Sequence, residues 1–226
     1  MRQFYQEELN QLDQQLIEMG RMVEVAIEDA VKALTDRDKK LAGEVIRNDD
    51  LVNKMEKTIE NRCLMLIVKE QPVAGDLRLI SSILKIITDL ERVGDQATDI
   101  AEISTLFGEQ PFIKKLTHIP QMADATIKML SESINAFVTK DQELAREVIK
   151  FDDVVDNLFD VIKNELIEMI HNDREAGEQA INFLMIAKYL ERIGDHAENI
   201  AEWVLFSISG YHSNGTDTLH GPGTEE

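Results

Sequence analysis

LERVGDQATDIAE, running from Leu90 to Glu102, returns as LERIGDHAENIAE from Leu190 to Glu202. When each copy is extended one residue upstream, nine of fourteen positions are identical and two more are conservative. The chain is therefore internally duplicated. A second pair, KLAGEVIRNDDLV from Lys40 and ELAREVIKFDDVV from Glu143, repeats at an offset of 103, so a three-residue change in length separates two otherwise parallel halves.

Working outward from these blocks, the apolar positions step by three and four. Leu9, Leu12, Leu16, Met19, Val23, Ala26, Ala30 and Leu34 form one stripe, and Leu144, Val148, Phe151, Val155, Leu158 and Ile162 form another. No stretch alternates apolar and polar residues between turn signals, so no strand is expected. Breaks at Thr35–Asp38, Gln71–Gly75, Gly108–Pro111, Thr139–Asp141 and Asp173–Gly177 divide the chain into six long helices, over residues 3–35, 38–70, 76–107, 113–139, 141–171 and 178–207. The expected fold is all-α. It consists of two tandem three-helix bundles, residues 1–108 and 109–207, related by a pseudo-twofold internal repeat and followed by a tail, 208–226, whose Gly, Ser and Thr content reads as disordered.

Composition narrows the function. With 226 residues, 43% of them hydrophobic, the chain can bury a substantial core. A formal net charge of -19 repels phosphate backbones and anionic lipid, which disfavours nucleic acid and direct membrane insertion and favours metal cations and basic protein surfaces. The single cysteine, Cys63, lies in the apolar run CLMLIV and reads as a core thiol. The opening MRQFYQEELNQ lacks an apolar signal core, and no apolar run approaches the roughly twenty residues of a membrane span, so a soluble cytosolic protein is expected.

The repeated block has a geometric reading. On the third helix Ile83, Ile86, Leu90, Val93, Ala97 and Ile100 share one face, while Glu91, Asp95 and Glu102 lie nearly opposite, continuing a second apolar stripe of Leu77, Ile80, Leu84 and Ile87. Carboxylates on a partly covered face repel one another unless a cation neutralises them. Glu91 and Asp95 project side by side with Asp99 a turn on, and Glu191, Asp195, Glu198, Asn199 and Glu202 do likewise. The second helices offer Asp49, Asp50, Asn53 and Glu56, then Asp152, Asp153, Asp156 and Asp160. Such oxygen donors suit Mg²⁺, Mn²⁺, Ca²⁺ or iron, and His196 adds iron or zinc. An acidic pair four residues apart is usually just a solvated face. Here E-R-x-G-D is kept twice, each time with a glycine that costs a helix interior about 1 kcal/mol, which points to close approach of a helix, a metal or a partner at Gly94 and Gly194. Arg92 and Arg192 read first as salt-bridge partners of neighbouring carboxylates, and otherwise as anion or partner contacts.

The duplicated blocks, QPVAGDLR from Gln71 to Arg78, and the NDD and FDD stretches together resemble the PhoU family, over residues 3 to 207. The resemblance implies two three-helix bundles that bind a multinuclear metal cluster, iron or zinc. Its ligands fall on Glu91, Asp95 and Asp99, on Glu191, Asp195 and Asn199, and on the second-helix residues Asp49, Asn53, Asp152 and Asp156. Asn199, a weaker ligand than a carboxylate, implies fewer ions in the second cluster, while Asn53 and Lys57, standing where the second repeat has Asp156 and Asp160, also argue against equal loading of the repeats. The implied role is negative regulation of the phosphate-starvation response. A homodimeric adaptor, held to the inner face of the membrane through protein partners, would sit between the ATPase subunit of a phosphate ABC transporter and a PhoR-type sensor histidine kinase. The alternative is a ferritin-like di-iron carboxylate enzyme, although the usual Glu-x-x-His pair is absent.

Overall fold

The computed structural model describes residues 2–107, 112 and 117–210. They form six α-helices and one 3₁₀ turn: α1 (Arg2–Asp36), α2 (Lys39–Glu70), α3 (Gly75–Ser104), α4 (His118–Thr139), α5 (Gln142–Asn172), the turn Arg174–Ala176 and α6 (Gly177–Ser209). The all-α duplicated fold is thus as the sequence indicates.

The duplication extends to the turn chemistry. After α1, Arg37 adopts a left-handed φ of 57°, its N–H donates to the Leu34 carbonyl and the Asp38 N–H donates to the Ala33 carbonyl. This pair of bonds closes the helix, and the same Asp38 then opens α2 by accepting from the Lys40 and Leu41 N–H groups. Lys140 and Asp141 repeat every step, with Lys140 at φ 57° and Asp141 accepting from Glu143 and Leu144. One aspartate therefore serves two helix ends in each hairpin.

Two boundaries differ from expectation. The fourth helix spans His118–Thr139 with Thr117 as its N-cap, where residue 113 is the expected start and 113–116 lie outside the described residues; Pro120, which supplies no N–H and crowds the carbonyl four residues back, is accommodated in its first turn. The last helix continues through Ser209, two residues into the expected tail, because the Ser207 and Ser209 hydroxyls bond back to the Val204 and Leu205 carbonyls instead of breaking the helix. Gly210, at φ 82°, ends it. The remainder of the expected tail, and the whole of the expected break at Gly108–Pro111, lie outside the described residues.

The helices pack so that α3 and α6 share the most extensive interface of any pair. They run antiparallel: Asp89 meets His196 while Asp99 meets Tyr189. The helices α1 and α4 also cross, at Gly20, where an added Cβ would lie 2.2 Å from Ile134 Cδ1. Among the described residues α2 packs only on α1 and α3, and α5 on α4, the 3₁₀ turn and α6, so these two helices flank a centre built from both repeats. The predicted seam Ile83, Ile86, Leu90, Val93, Ala97 and Ile100 is completely buried. Because α1, α2 and α6 all press on α3, much of the second apolar stripe is covered too: Ile80 and Ile87 are buried, Leu84 is half-buried and Leu77 is exposed. Cys63 is a buried free thiol, and burial pushes its pKa up to about 12.

Candidate functional site

The carboxylates of the first repeat gather where α2 crosses α3. Gly94 is the crossing point: a Cβ there would lie 3.3 Å from both Asp49 Oδ1 and Val52 Cγ1, so the glycine lets a charged side chain of α2 lie against the α3 backbone. Asp49 Oδ1 is buried without a hydrogen-bond partner, while Asp49 Oδ2 accepts from Asn53 Nδ2 at 2.8 Å. Burial, then Asp95, holds the Asp49 carboxyl above its ordinary pKa, opposed by the Asn53 hydrogen bond. Glu91 is raised by burial and by Asp95, Glu56 and Asp49, and Glu56 by burial, Glu60 and Asp95. Arg92 braces the group, with Nη1 donating to Asp95 Oδ2 at 3.2 Å and Nε lying 3.4 Å from Glu91 Oε2. That is the salt-bridging role read from the sequence.

The second repeat repeats the arrangement with more charge. A Cβ on Gly194 would lie 3.2 Å from Asp152 Oδ1 and 3.2 Å from Val155 Cγ1. Burial, followed by Glu198, Asp156, Asp195 and Glu191, pushes the Asp152 carboxyl up to about 7. Asp195 and Glu198 are also raised, by burial first and then by neighbouring carboxylates. Lys188 forms an ion pair with Glu191.

The structure brings Asp49, Asn53, Glu91 and Asp95 together, and likewise Asp152, Asp156, Glu191 and Asp195. It draws in Glu56 and Glu198, which stand outside the implied ligand set, each seven residues beyond Asp49 and Glu191 on the same helix face. Asp99 lies toward α6, accepting a hydrogen bond from Tyr189 with Arg192 nearby, and is raised by burial, Glu102 and Asp95. Asn199 is exposed. Asp160, also exposed, pairs with Lys163. His196 Nδ1 lies 2.9 Å from Asp89 Oδ1 in the seam between repeats.

An unpartnered buried carboxylate oxygen, a glycine opposite it and crowded like charges suit a hard cation chemically. Among the described residues, no three His, Cys, Asp or Glu side chains are arranged to hold a metal ion as they stand. Binding one requires rotation of carboxylates such as Glu91, Asp95 and Glu191 out of their ion pairs with Arg92 and Lys188.

Fold and site together define a duplicated helical protein whose two halves each press an acidic second helix against a glycine of the third. A family model described as the PhoU domain matches residues 16–104 and again 119–204. The chain belongs to the PhoU family. It is 39% identical over 213 residues to the Clostridium acetobutylicum phosphate-specific transport system accessory protein PhoU homolog, covering 92% of this chain and 96% of that one. The Pseudomonas aeruginosa relative of the same description is 37% identical over 221 residues, covering 96% of this chain and 88% of that one. A crystal structure of PhoU from Pseudomonas aeruginosa matches with a TM-score of 0.87 at 36% identity over 92% of this chain and 100% of that one. The phosphate transport system regulatory protein PhoU from Streptococcus pneumoniae matches with a TM-score of 0.85 at 27% identity, over 92% of this chain and 98% of that one.

Proposed function

We propose that this chain is a regulatory accessory protein of phosphate-specific transport: a cytosolic, homodimeric adaptor that contacts the ATPase subunit of a phosphate ABC transporter and a PhoR-type sensor histidine kinase, holding the starvation response off when phosphate is plentiful. The observation that carries this reading is the PhoU domain matched in both halves of the chain, with relatives named as accessory proteins of that system along nearly their whole length. The charge of -19 supports contact with basic protein surfaces, and among the described residues no helix is long and apolar enough to cross a membrane. Deleting the gene is expected to raise phosphate-starvation gene expression in phosphate-rich medium; unchanged expression would sink the proposal. The enzyme reading gains no support, since its relatives are named as accessory and regulatory proteins and His196 is engaged by Asp89.

The same reading assigns a metal cluster to each α2–α3-type crossing. In the first repeat Asp49, Glu91 and Asp95 would hold it with Asn53 and Glu56 beside them, and in the second Asp152, Asp156, Glu191 and Asp195 with Glu198. Iron or zinc is the expected metal, and Mg²⁺, Mn²⁺ and Ca²⁺ share the donor preference. The bound cation would neutralise mutually repelling carboxylates and offer an anion such as phosphate a positive contact on an otherwise repelling surface. Because Asn53 stands in the first repeat where the second has Asp156, and Asn199 is exposed beside the cluster, the second repeat is expected to load more fully. Elemental analysis of untagged protein beside a variant with Glu91, Asp95, Glu191 and Asp195 changed to alanine tests this. Stoichiometric metal lost in the variant supports it, and absence from both refutes it.

A further inference from the structure

The two repeats carry different side chains between their first and second helices. In the second repeat Phe151 of α5 packs against the core, and the Lys128 ammonium of α4 lies 4.2 Å from its ring centroid. At the offset of 103 that aligns the two NDD and FDD stretches, Phe151 corresponds to Asn48 and Lys128 to Val25. An asparagine where the other repeat has a ring leaves space behind it. Between α1 and α2 there is a cavity of about 330 Å³, walled by Val25, Ala26, Val45, Leu51 and Val52 and floored by Gly94. Of the polar side chains that line it, Glu18, Arg21 and Asn48 are exposed and lie at its mouth, while Thr98 and Asp49, the latter a carboxylate of the cluster at Gly94, are half-buried beside the apolar wall.

We propose that this cavity receives one aromatic side chain of a partner protein, which fills the first repeat as Phe151 fills the second. Three observations choose that occupant. An apolar cavity of roughly 150 Å³ is enough to take benzene, so the volume admits a whole ring. The second repeat shows which side chain completes this α-helical packing, and Arg21 stands at the mouth on α1 to supply the cation that Lys128 supplies from α4. The surroundings, with Glu18 at the mouth, Asp50 exposed beside Asp49 and -19 on the whole chain, favour basic residues flanking the aromatic one and disfavour a second copy of this equally acidic chain. That a protein presents the ring rests on the adaptor reading; the ring-accepting chemistry of the pocket does not.

The test uses the full chain and the peptide acetyl-Lys-(4-fluorophenylalanine)-Lys amide, observed by fluorine NMR. Saturable binding in the millimolar range, on the order of 1 mM, is expected for the wild type. Asn48→Phe, which rebuilds the plug of the second repeat, should weaken binding about tenfold or more with an unchanged or higher melting temperature. Leu51→Asn, at a half-exposed rim position, should weaken it with the fold intact, and acetyl-Lys-Ala-Lys amide should not compete. No saturable binding to the wild type, equal binding by N48F, or equal competition by the alanine peptide overturns the proposal. If sedimentation shows the wild type associated and N48F not, a second copy is the occupant and the partner assignment is wrong. Derepression on gene deletion without peptide binding removes only the pocket, whereas peptide binding without derepression removes only the adaptor.

Discussion

Replacing Asp152 with asparagine is expected to stabilise the metal-free protein in mild alkali and to leave it unchanged in acid. Asp152 sits half-buried on α5 against Gly194, and burial with Glu198, Asp156, Asp195 and Glu191 lifts its pKa from 3.8 to about 7. Between those values the folded chain keeps a proton that the unfolded chain has released. Stability is therefore undiminished below the unfolded pKa, falls as pH rises through the interval, and stays reduced above the folded pKa. The interval is equivalent to about 4 kcal/mol for a group sealed from water. Asp152 is open on one side, and solvent screening reduces this to about 1–2 kcal/mol. Asparagine keeps the shape and cannot ionise, so at about pH 8 in chelator D152N should melt roughly 2–8 °C above wild type, the gain fading by about pH 4. Thermal melts followed by far-ultraviolet circular dichroism at both pH values measure it. A variant no better off in alkali than in acid, relative to wild type, would refute the reasoning. Added Mn²⁺ or Zn²⁺ should shrink or reverse the alkaline difference, because a cation that binds the folded carboxylates stabilises only the wild type fully.

The glycines at the crossings set two gains and losses against each other. Gly94→Ala and Gly194→Ala each gain about 1 kcal/mol of helix propensity. Each also forces a Cβ to within 3.2–3.3 Å of an aspartate oxygen and a valine methyl, and such overpacking costs about 1–3 kcal/mol. Urea denaturation should show both variants neutral to about 2 kcal/mol less stable, and two stabilised variants would remove the argument for close approach. Asp38→Ala and Asp141→Ala should each cost about 1 kcal/mol through loss of the helix caps. Their effects should add within about 0.5 kcal/mol, since the hairpins lie far apart; marked non-additivity in the double variant would contradict the independence of the two hairpins.

Much of this was legible in the sequence because the signals are local and occur twice. The i, i+3, i+4 stripes place the six helices, and the breaks that end at Asp38 and Asp141 fall within one residue of two of their starts, where the structure shows each aspartate capping its helix. The boundaries that moved depend on less local effects. Ser209 reads as a tail residue, yet its hydroxyl bonds back to the Leu205 carbonyl along the helix, and Pro120 reads as interior to a helix that in fact begins two residues before it. Within the site, Glu91, Asp95, Glu191 and Asp195 follow from spacing alone. Spacing offers Glu198 and Asn199 together and does not choose between them, because one residue of sequence is 100° of rotation and only the packing of α5 on α6 decides that Glu198 faces inward and Asn199 outward. The cover over Ile80 and Ile87 likewise comes from helices distant in sequence, and the open space behind Asn48 appears only when α1 and α2 are set beside α4 and α5.

The antiparallel α3–α6 seam has a further consequence. If each half were a separate chain, this seam would be an isologous dimer interface, where every substitution appears on both sides at once and folding depends on protein concentration. Joined in one chain, the halves meet at a fixed stoichiometry and are free to differ. The seam already does so: Asp89 facing His196 is mirrored by Tyr189 and Gln96, and Asp99 by Asn199. A linked pair of unlike halves can assign separate tasks to its two ends, which a symmetric pair of identical subunits cannot.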